Sequence, residues 1–290
     1  MKLLSRPEES HKGDYGHLLI VAGCQRMPGA AVLTTGAALR SGCGLVTLHS
    51  TDRAVQAAVA QFPSAMLSED PGAQFSTVPS GLERYSAIAV GPGLGQAEET
   101  LSALSGLLTA ACGAGIPLVL DADALNLLAA HPSLWDSVPP GSILTPHPGE
   151  LRHLLPFETE AQREAAIIRL CRERGCVLLA KGHRSRIYTP EGHCSINPTG
   201  NAGLAKGGSG DVLTGLVGGL LARGYTARDA AVLGAWIHGY AGDILTEKYT
   251  AEAYSSFELI RELWQGFAAL RTGKGPGISP DAPGTSPSSR

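Results

Sequence analysis

The chain has 290 residues, 43% of them hydrophobic, and a formal charge of −3 from 23 basic and 26 acidic side chains. That is ample apolar material for a packed core, and it excludes a wholly disordered chain. The charges are mixed along the sequence, so no basic stripe points to nucleic acid and no polybasic segment to a membrane surface.

Short apolar runs at residues 17–22, 45–49, 87–91, 118–121, 142–145 and 177–181 read as strands buried on both faces. Helical patterns lie between them at 30–41, 96–112 and 161–174. Strand–helix alternation of this kind predicts an α/β fold with a mostly parallel central sheet. Residues 184–189 and 193–196, joined by Pro190-Glu191-Gly192, read as an antiparallel hairpin. Helices are then expected over 211–223, 227–247 and 251–270. One domain covering 1–271 is expected, followed by a disordered Gly/Pro/Ser tail over 272–290, where 12 of the last 18 residues are Gly, Pro or Ser. No apolar run approaches the roughly 18 residues of a membrane span. Residues 1–15 have no apolar signal core, and six scattered cysteines form no C-x-x-C pair. Both features point to reduced thiols in the cytoplasm.

Glycine is in excess, 37 of 290 residues, against an ordinary share of about 7%. Many of these glycines follow strand ends: Gly23 and Gly29 after the first, Gly91, Gly93 and Gly95 after the third, Gly149 after the fifth, Gly182 after the sixth. In open α/β sheets the ligand lies outside that edge. The densest run, NPTGNAGLAKGGSGD, leads straight into the apolar helical face of Val212, Leu213, Leu216, Val217, Leu220 and Leu221. Gly207, Gly208, Ser209 and Gly210 therefore form the entry of a buried helix, whose free N–H groups suit a phosphoryl group in flight. Asp211 at its mouth is either a general base for an attacking hydroxyl or a helix-capping carboxylate. There is no G-x-x-x-x-G-K-[ST], and VGPGLG is only a lookalike of the dinucleotide fingerprint, so a P-loop enzyme and a Rossmann dehydrogenase are both disfavoured.

Seven segments in order carry a resemblance: MPGAA from Met27, RSGCGLVT from Arg40, VGPGLG from Val90, LDADALN from Leu120, LTPHPGE from Leu144, LAKG from Leu179 and NAGLAKGGSGDVLTG from Asn201. Together they resemble the ADP/ATP-dependent NAD(P)H-hydrate dehydratases of the ribokinase-like superfamily, from about His11 to His238. The resemblance implies a three-layer α/β/α sandwich. It implies repair of NAD(P)H hydrate, S-epimer, at the expense of ADP or ATP, with Mg²⁺. Asp211 would take the proton of the C6 hydroxyl. Gly207, Gly208, Ser209 and Gly210 would hold the transferred phosphoryl group. Lys181, Gly182, His183, Arg184, Ser185 and Asn201 would contact the nucleotide. Ala30, Ala31, Gly93, Gly95 and His147 would line the hydrate pocket, and Glu150 would organise Mg²⁺ through water. His147, between two prolines, also suits plain turn geometry. Asp121 and Asp123 are candidates to orient the metal or nearby loops, and Asp123 equally to cap the helix after it. The departures are Lys206 and Ser209, which replace residues that are often Thr, and His183-Arg184, which follow LAKG where small residues are more usual; Lys206 either faces phosphate or points to solvent. The resemblance further implies a homotetramer and a separate NAD(P)H-hydrate epimerase acting in the same pathway, with no nucleic-acid or membrane partner. The alternatives are a small-molecule kinase of the hydroxyethylthiazole type, which would use the same anion site, and a non-enzymatic adenylate sensor.

Overall fold

The computed structural model describes residues 3–276, so most of the tail expected over 272–290 lies outside the described residues. The strands are β1 (His17–Val21), β2 (Leu45–Thr51), β3 (Met66–Asp70), β4 (Ala87–Val90), β5 (Leu118–Leu120), β6 (Ile143–Leu144), β7 (Val177–Ala180), β8 (Arg186–Tyr188) and β9 (Cys194–Ile196). They form one sheet in the order β3-β2-β1-β4-β5-β6-β7-β8-β9. β1 to β7 are parallel, and β8 and β9 run antiparallel as the expected hairpin. The order reverses between β1 and β4, which makes a switch point at their carboxyl ends.

The helices are α1 (Pro28–Leu39), α2 (Asp52–Gln61), α3 (Glu98–Ala114), α4 (Ala122–Ala130), α5 (Pro148–Leu154), α6 (Glu160–Arg174), α7 (Ser209–Ala222), α8 (Ala227–Tyr249) and α9 (Ser256–Arg271). Side chains alternate across the sheet. Leu18 and Ile20 of β1 join a core with α1, α2, α7, α8 and α9, whereas Leu19 and Val21 join a second core with α3, α4 and α6. The result is the expected three-layer sandwich. β3 and α2 escape the sequence reading because β3 is a polar edge strand, exposed at Met66 and Leu67, with no apolar run. α9 starts later than expected because Ser255 and Glu258 build a capping box at its entry. Among the described residues no helix is long and apolar enough to cross a membrane.

Part of the glycine excess is spent on packing. A Cβ on Gly215 of α7 would lie 2.0 Å from the Thr34 carbonyl oxygen of α1, and one on Gly219 would lie 2.0 Å from Ser41 Oγ. Bare backbone there lets α7 lie against α1. That contact sets the N-terminus of α7 at the carboxyl edge of the sheet.

Candidate active site

α7 opens on Gly208, whose φ of 85° is left-handed, a conformation natural for glycine. Its entry leaves the N–H groups of Gly207, Gly208, Gly210 and Asp211 with no protein acceptor among the described residues. Orphan donors at the positive end of a helix make an anion site. A Cβ on Gly207 would meet nothing within 4 Å, and one on Gly210 would meet Lys181 Nζ at 3.4 Å and Asp121 Oδ2 at 3.7 Å. Open space therefore lies beside Gly207, and Gly210 borders a cavity that Lys181 also lines. Asp211 sits in the first turn, but α7 has no side-chain cap bond. The capping alternative is thereby removed. Burial, helped by the Asp121 carboxylate and opposed by the Lys181 ammonium, pushes the Asp211 pKa up to about 6.

A buried ionic network supports this mouth. Lys181, just past β7, donates from Nζ to Asp121 Oδ1 at 2.6 Å, and Thr214 Oγ1 donates to Asp121 Oδ2 at 2.6 Å. Asp121 is 1% exposed. Both its oxygens are committed, so it fastens Lys181 and α7. The close approach is bought at Gly91, where a Cβ would lie 1.8 Å from the Asp121 carbonyl oxygen and φ is 135°. Ala122, next in the chain, has φ of 47°, a strained setting that costs about 1–2 kcal/mol.

Glu150 is 6% exposed. Its Oε2 accepts from the His147 N–H at 2.8 Å and lies 4.0 Å from Lys181 Nζ. Burial raises its pKa, the Lys181 ammonium opposes that, and the Asp121 carboxylate adds to it. His147 N-caps α5, its Nδ1 accepting from the Gly149 and Glu150 N–H groups at 2.9 and 3.2 Å. Nε2 then carries the proton, 3.2 Å from Glu150 Oε1. The histidine between prolines is thus a cap, and its half-exposed ring also lines a cavity.

That cavity, of about 560 Å³, adjoins the helix entry. Lys181, Gly182, His183, Arg184, Ser185, Asn201, Ser209 and Gly210 line it. Asn201 turns its amide inward, accepting from the Gly203 N–H at 2.8 Å and Thr246 Oγ1 at 2.9 Å and donating to Asp243 Oδ1 at 2.8 Å. It shapes the cavity wall, and its side chain is already occupied. Lys206 meets neither expectation: its ammonium donates to the Ala251 and Tyr254 carbonyl oxygens at 3.1 and 2.5 Å and lies 3.6 Å from the Tyr254 ring centroid. It ties the loop to the turn between α8 and α9.

Of the residues expected at the hydrate, Ala30, Ala31, Gly93 and Gly95 lie near the switch point between β1 and β4, whereas His147, after β6, lines the cavity with Lys181 and Asn201 instead. A Cβ on Gly93 would lie 2.9 Å from Ala30 Cβ, and one on Gly95 would lie 2.0 Å from Gln74 Oε1. Ala30 is 5% exposed, but Ala31 is fully buried and packs at Gly23. Ala31 therefore offers no surface to a ligand, and its small size serves the approach of α1 to β1. Asp123 does not cap α4. It accepts from the Gly95 N–H at 2.9 Å and Gln96 Nε2 at 2.8 Å and so holds the VGPGLG loop. Thr214 and His238 were missed. Each is a lone polar residue on an apolar helix face, and that was the available signal.

A family model described as NAD(P)H-hydrate dehydratase matches residues 18–265. The chain belongs to the NAD(P)H-hydrate dehydratase family. It is 39% identical over 251 residues to the ADP-dependent (S)-NAD(P)H-hydrate dehydratase of Neisseria meningitidis serogroup B, covering 84% of this chain and 81% of that protein. The crystal structure of ADP/ATP-dependent NAD(P)H-hydrate dehydratase from Bacillus subtilis, co-crystallized with ATP/Mg²⁺, superposes with a TM-score of 0.78 at 32% identity, covering 93% of this chain and 95% of that one. A ribokinase-like superfamily protein from Enterococcus faecalis gives 0.78 at 26% identity, covering 92% and 91%. The fold is ribokinase-like.

Proposed function

We infer that the chain restores NAD(P)H from the S-epimer of its hydrate by ADP-dependent dehydration. The observation that carries this is the junction of one raised carboxylate, Asp211, with four unpaired N–H groups, beside a cavity of a size that suits small-molecule ligands. Asp211, ionised above about pH 6, takes the proton of the C6 hydroxyl as its oxygen attacks the terminal phosphorus of ADP. The N–H groups of Gly207, Gly208 and Gly210, with the Lys181 ammonium, stabilise charge on the phosphoryl oxygens. AMP leaves. The ring nitrogen lone pair then expels phosphate from C6, and the resulting iminium gives up a C5 proton to the departing phosphate or to solvent, which restores the C5–C6 double bond, so hydrate and ADP yield NAD(P)H, AMP and phosphate. The protein supplies position and electrostatics for that last step.

The donor set fits a loosely held Mg²⁺. Asp121 is committed to Lys181 and Thr214, and among the described residues no three His, Cys, Asp or Glu side chains are grouped to hold a metal directly, but magnesium keeps most of its waters and needs only one or two carboxylates beside phosphate, which Glu150 and Asp211 can supply. Glu150 would hold it through water, and the ion would neutralise phosphate charge. Incubating the protein with NAD(P)H hydrate, Mg²⁺ and either ADP or ATP, while near-UV absorbance is followed, tests the reading. Recovery without a nucleotide refutes it. Accumulation of a stable phosphorylated alcohol would mark a kinase instead.

A further inference from the structure

The glycine-rich entry of α7 has little stiffness of its own, because Gly207, Gly208 and Gly210 each lack a side chain to limit the backbone. Two buried side chains from other helices grip it. Ser256, 4% exposed at the start of α9, donates from Oγ to the Gly207 carbonyl oxygen at 2.8 Å. His238, 8% exposed in the middle of α8, places Nε2 3.0 Å from the Ser209 carbonyl oxygen and 3.2 Å from Ser209 Oγ. A carbonyl only accepts, so Nε2 carries the proton. Burial pushes the His238 pKa down to about 4, which keeps the ring neutral in that tautomer.

In a trans peptide the C=O and the following N–H lie in one plane and point in opposite directions. A bond that pins the carbonyl of residue 207 thereby aims the N–H of Gly208, and one that pins the carbonyl of Ser209 aims the N–H of Gly210. Both of those N–H groups lack a protein acceptor among the described residues. We propose that His238 and Ser256 are positioning residues for the reaction: by gripping alternate carbonyls from behind the loop, they aim the Gly208 and Gly210 N–H groups at the phosphoryl group. The proposal rests on the functional reading above for its consequence in turnover, and on the loop geometry alone for the direction of the N–H groups.

His238→Phe keeps a ring and removes the donor, and His238→Gln restores a donor of similar reach. With NAD(P)H hydrate and ADP, His238→Phe is expected to lower kcat by at least about tenfold, with KM for ADP within about threefold. His238→Gln should recover most of that loss. Ser256→Ala should lower kcat in the same way and Ser256→Thr restore it, which keeps the test open if His238→Phe does not fold. Two spectra in the full chain are independent of turnover. The ¹⁵N signals of the wild-type His238 ring should report the Nε2–H tautomer at neutral pH. The amide signals of Gly208 and Gly210 should shift on adding ADP in the wild type and lose that shift in Ser256→Ala and His238→Phe. A folded His238→Phe or Ser256→Ala protein with wild-type kcat, or an Nδ1–H ring in the wild type, overturns the proposal. An inactive wild type that still shows the amide shifts overturns the functional reading and leaves the gripping role standing.

Discussion

Substituting alanine for Gly210 separates stability from function. Gly210 has no left-handed φ, and the added Cβ would touch only Lys181 Nζ at 3.4 Å and Asp121 Oδ2 at 3.7 Å, the former at the far end of a flexible side chain. Alanine in a helix is favoured over glycine by about 0.5–1 kcal/mol. A gain of that size shifts the midpoint of a domain this large by no more than about 2–4 °C. Tm should therefore stay level or rise slightly. Side chains on a helix tilt toward its N-terminus, so the methyl projects to the open end, beside Lys181. It obstructs the approach to the Gly210 N–H. Loss of one such donor costs roughly a hundredfold to a thousandfold in turnover. The assay is ADP-dependent recovery of NAD(P)H absorbance from its hydrate, alongside thermal unfolding. A Gly210→Ala protein with unchanged Tm and wild-type turnover would refute the anion site. Gly208→Ala is the control: its φ of 85° and a Cβ 2.3 Å from Leu33 Cδ1 should make it lose stability outright, by about 1–3 kcal/mol.

Asp211→Asn should retain nucleotide binding, measured by calorimetry with ADP, while turnover falls at least about a hundredfold. Because the Asp211 pKa is raised to about 6, the folded protein holds that proton more tightly than the unfolded chain, so the carboxyl favours folding at low pH and this is lost as pH rises toward 6. Asn substitution should then raise Tm more at neutral pH than near pH 4, about the ordinary carboxyl value; equal shifts at both would show that no such coupling exists. kcat/KM in the wild type should fall on the acid side of about pH 6 with the protonation of this base. Asp70 behaves oppositely: against the upward push of burial, hydrogen bonds from Ser76, Gly72 and Thr77 bring its pKa down to about 2. Its contribution is present above the ordinary carboxyl range and vanishes as pH falls toward 2, so the wild-type advantage in Tm over Asp70→Asn should shrink on acidification. Lys206→Met should lower Tm and leave the salt dependence of ADP affinity unchanged, because its ammonium serves the Ala251 and Tyr254 carbonyl oxygens; a steeper loss of ADP binding than of stability would return it to the phosphate.

Much of the fold was legible in the sequence because its signals are short-range. β1 and β4 read as buried runs from their own residues, and the hairpin of β8 and β9 from its turn. β3 was not legible, since an edge strand needs no apolar run and is defined by its register with β2. In the site, the glycine-rich entry and Asp211 were visible because a helix N-terminus and its anion-binding donors are properties of one continuous segment. What the tertiary structure alone decided is which side chains meet there. Lys181 and Asp121 stand 60 residues apart, and Thr214 and Asp121 stand 93 apart, so no local spacing encodes their pairing. The same holds for the amide of Asn201 turned into α8, the ammonium of Lys206 spent on carbonyls, and Ala31 sealed against Gly23. The sequence determines which groups are present and which elements they form. The packing of α7 on α1, with bare glycine at the contact, decides where the donors point, because hydrogen bonds and burial belong to the neighbours a side chain acquires only on folding.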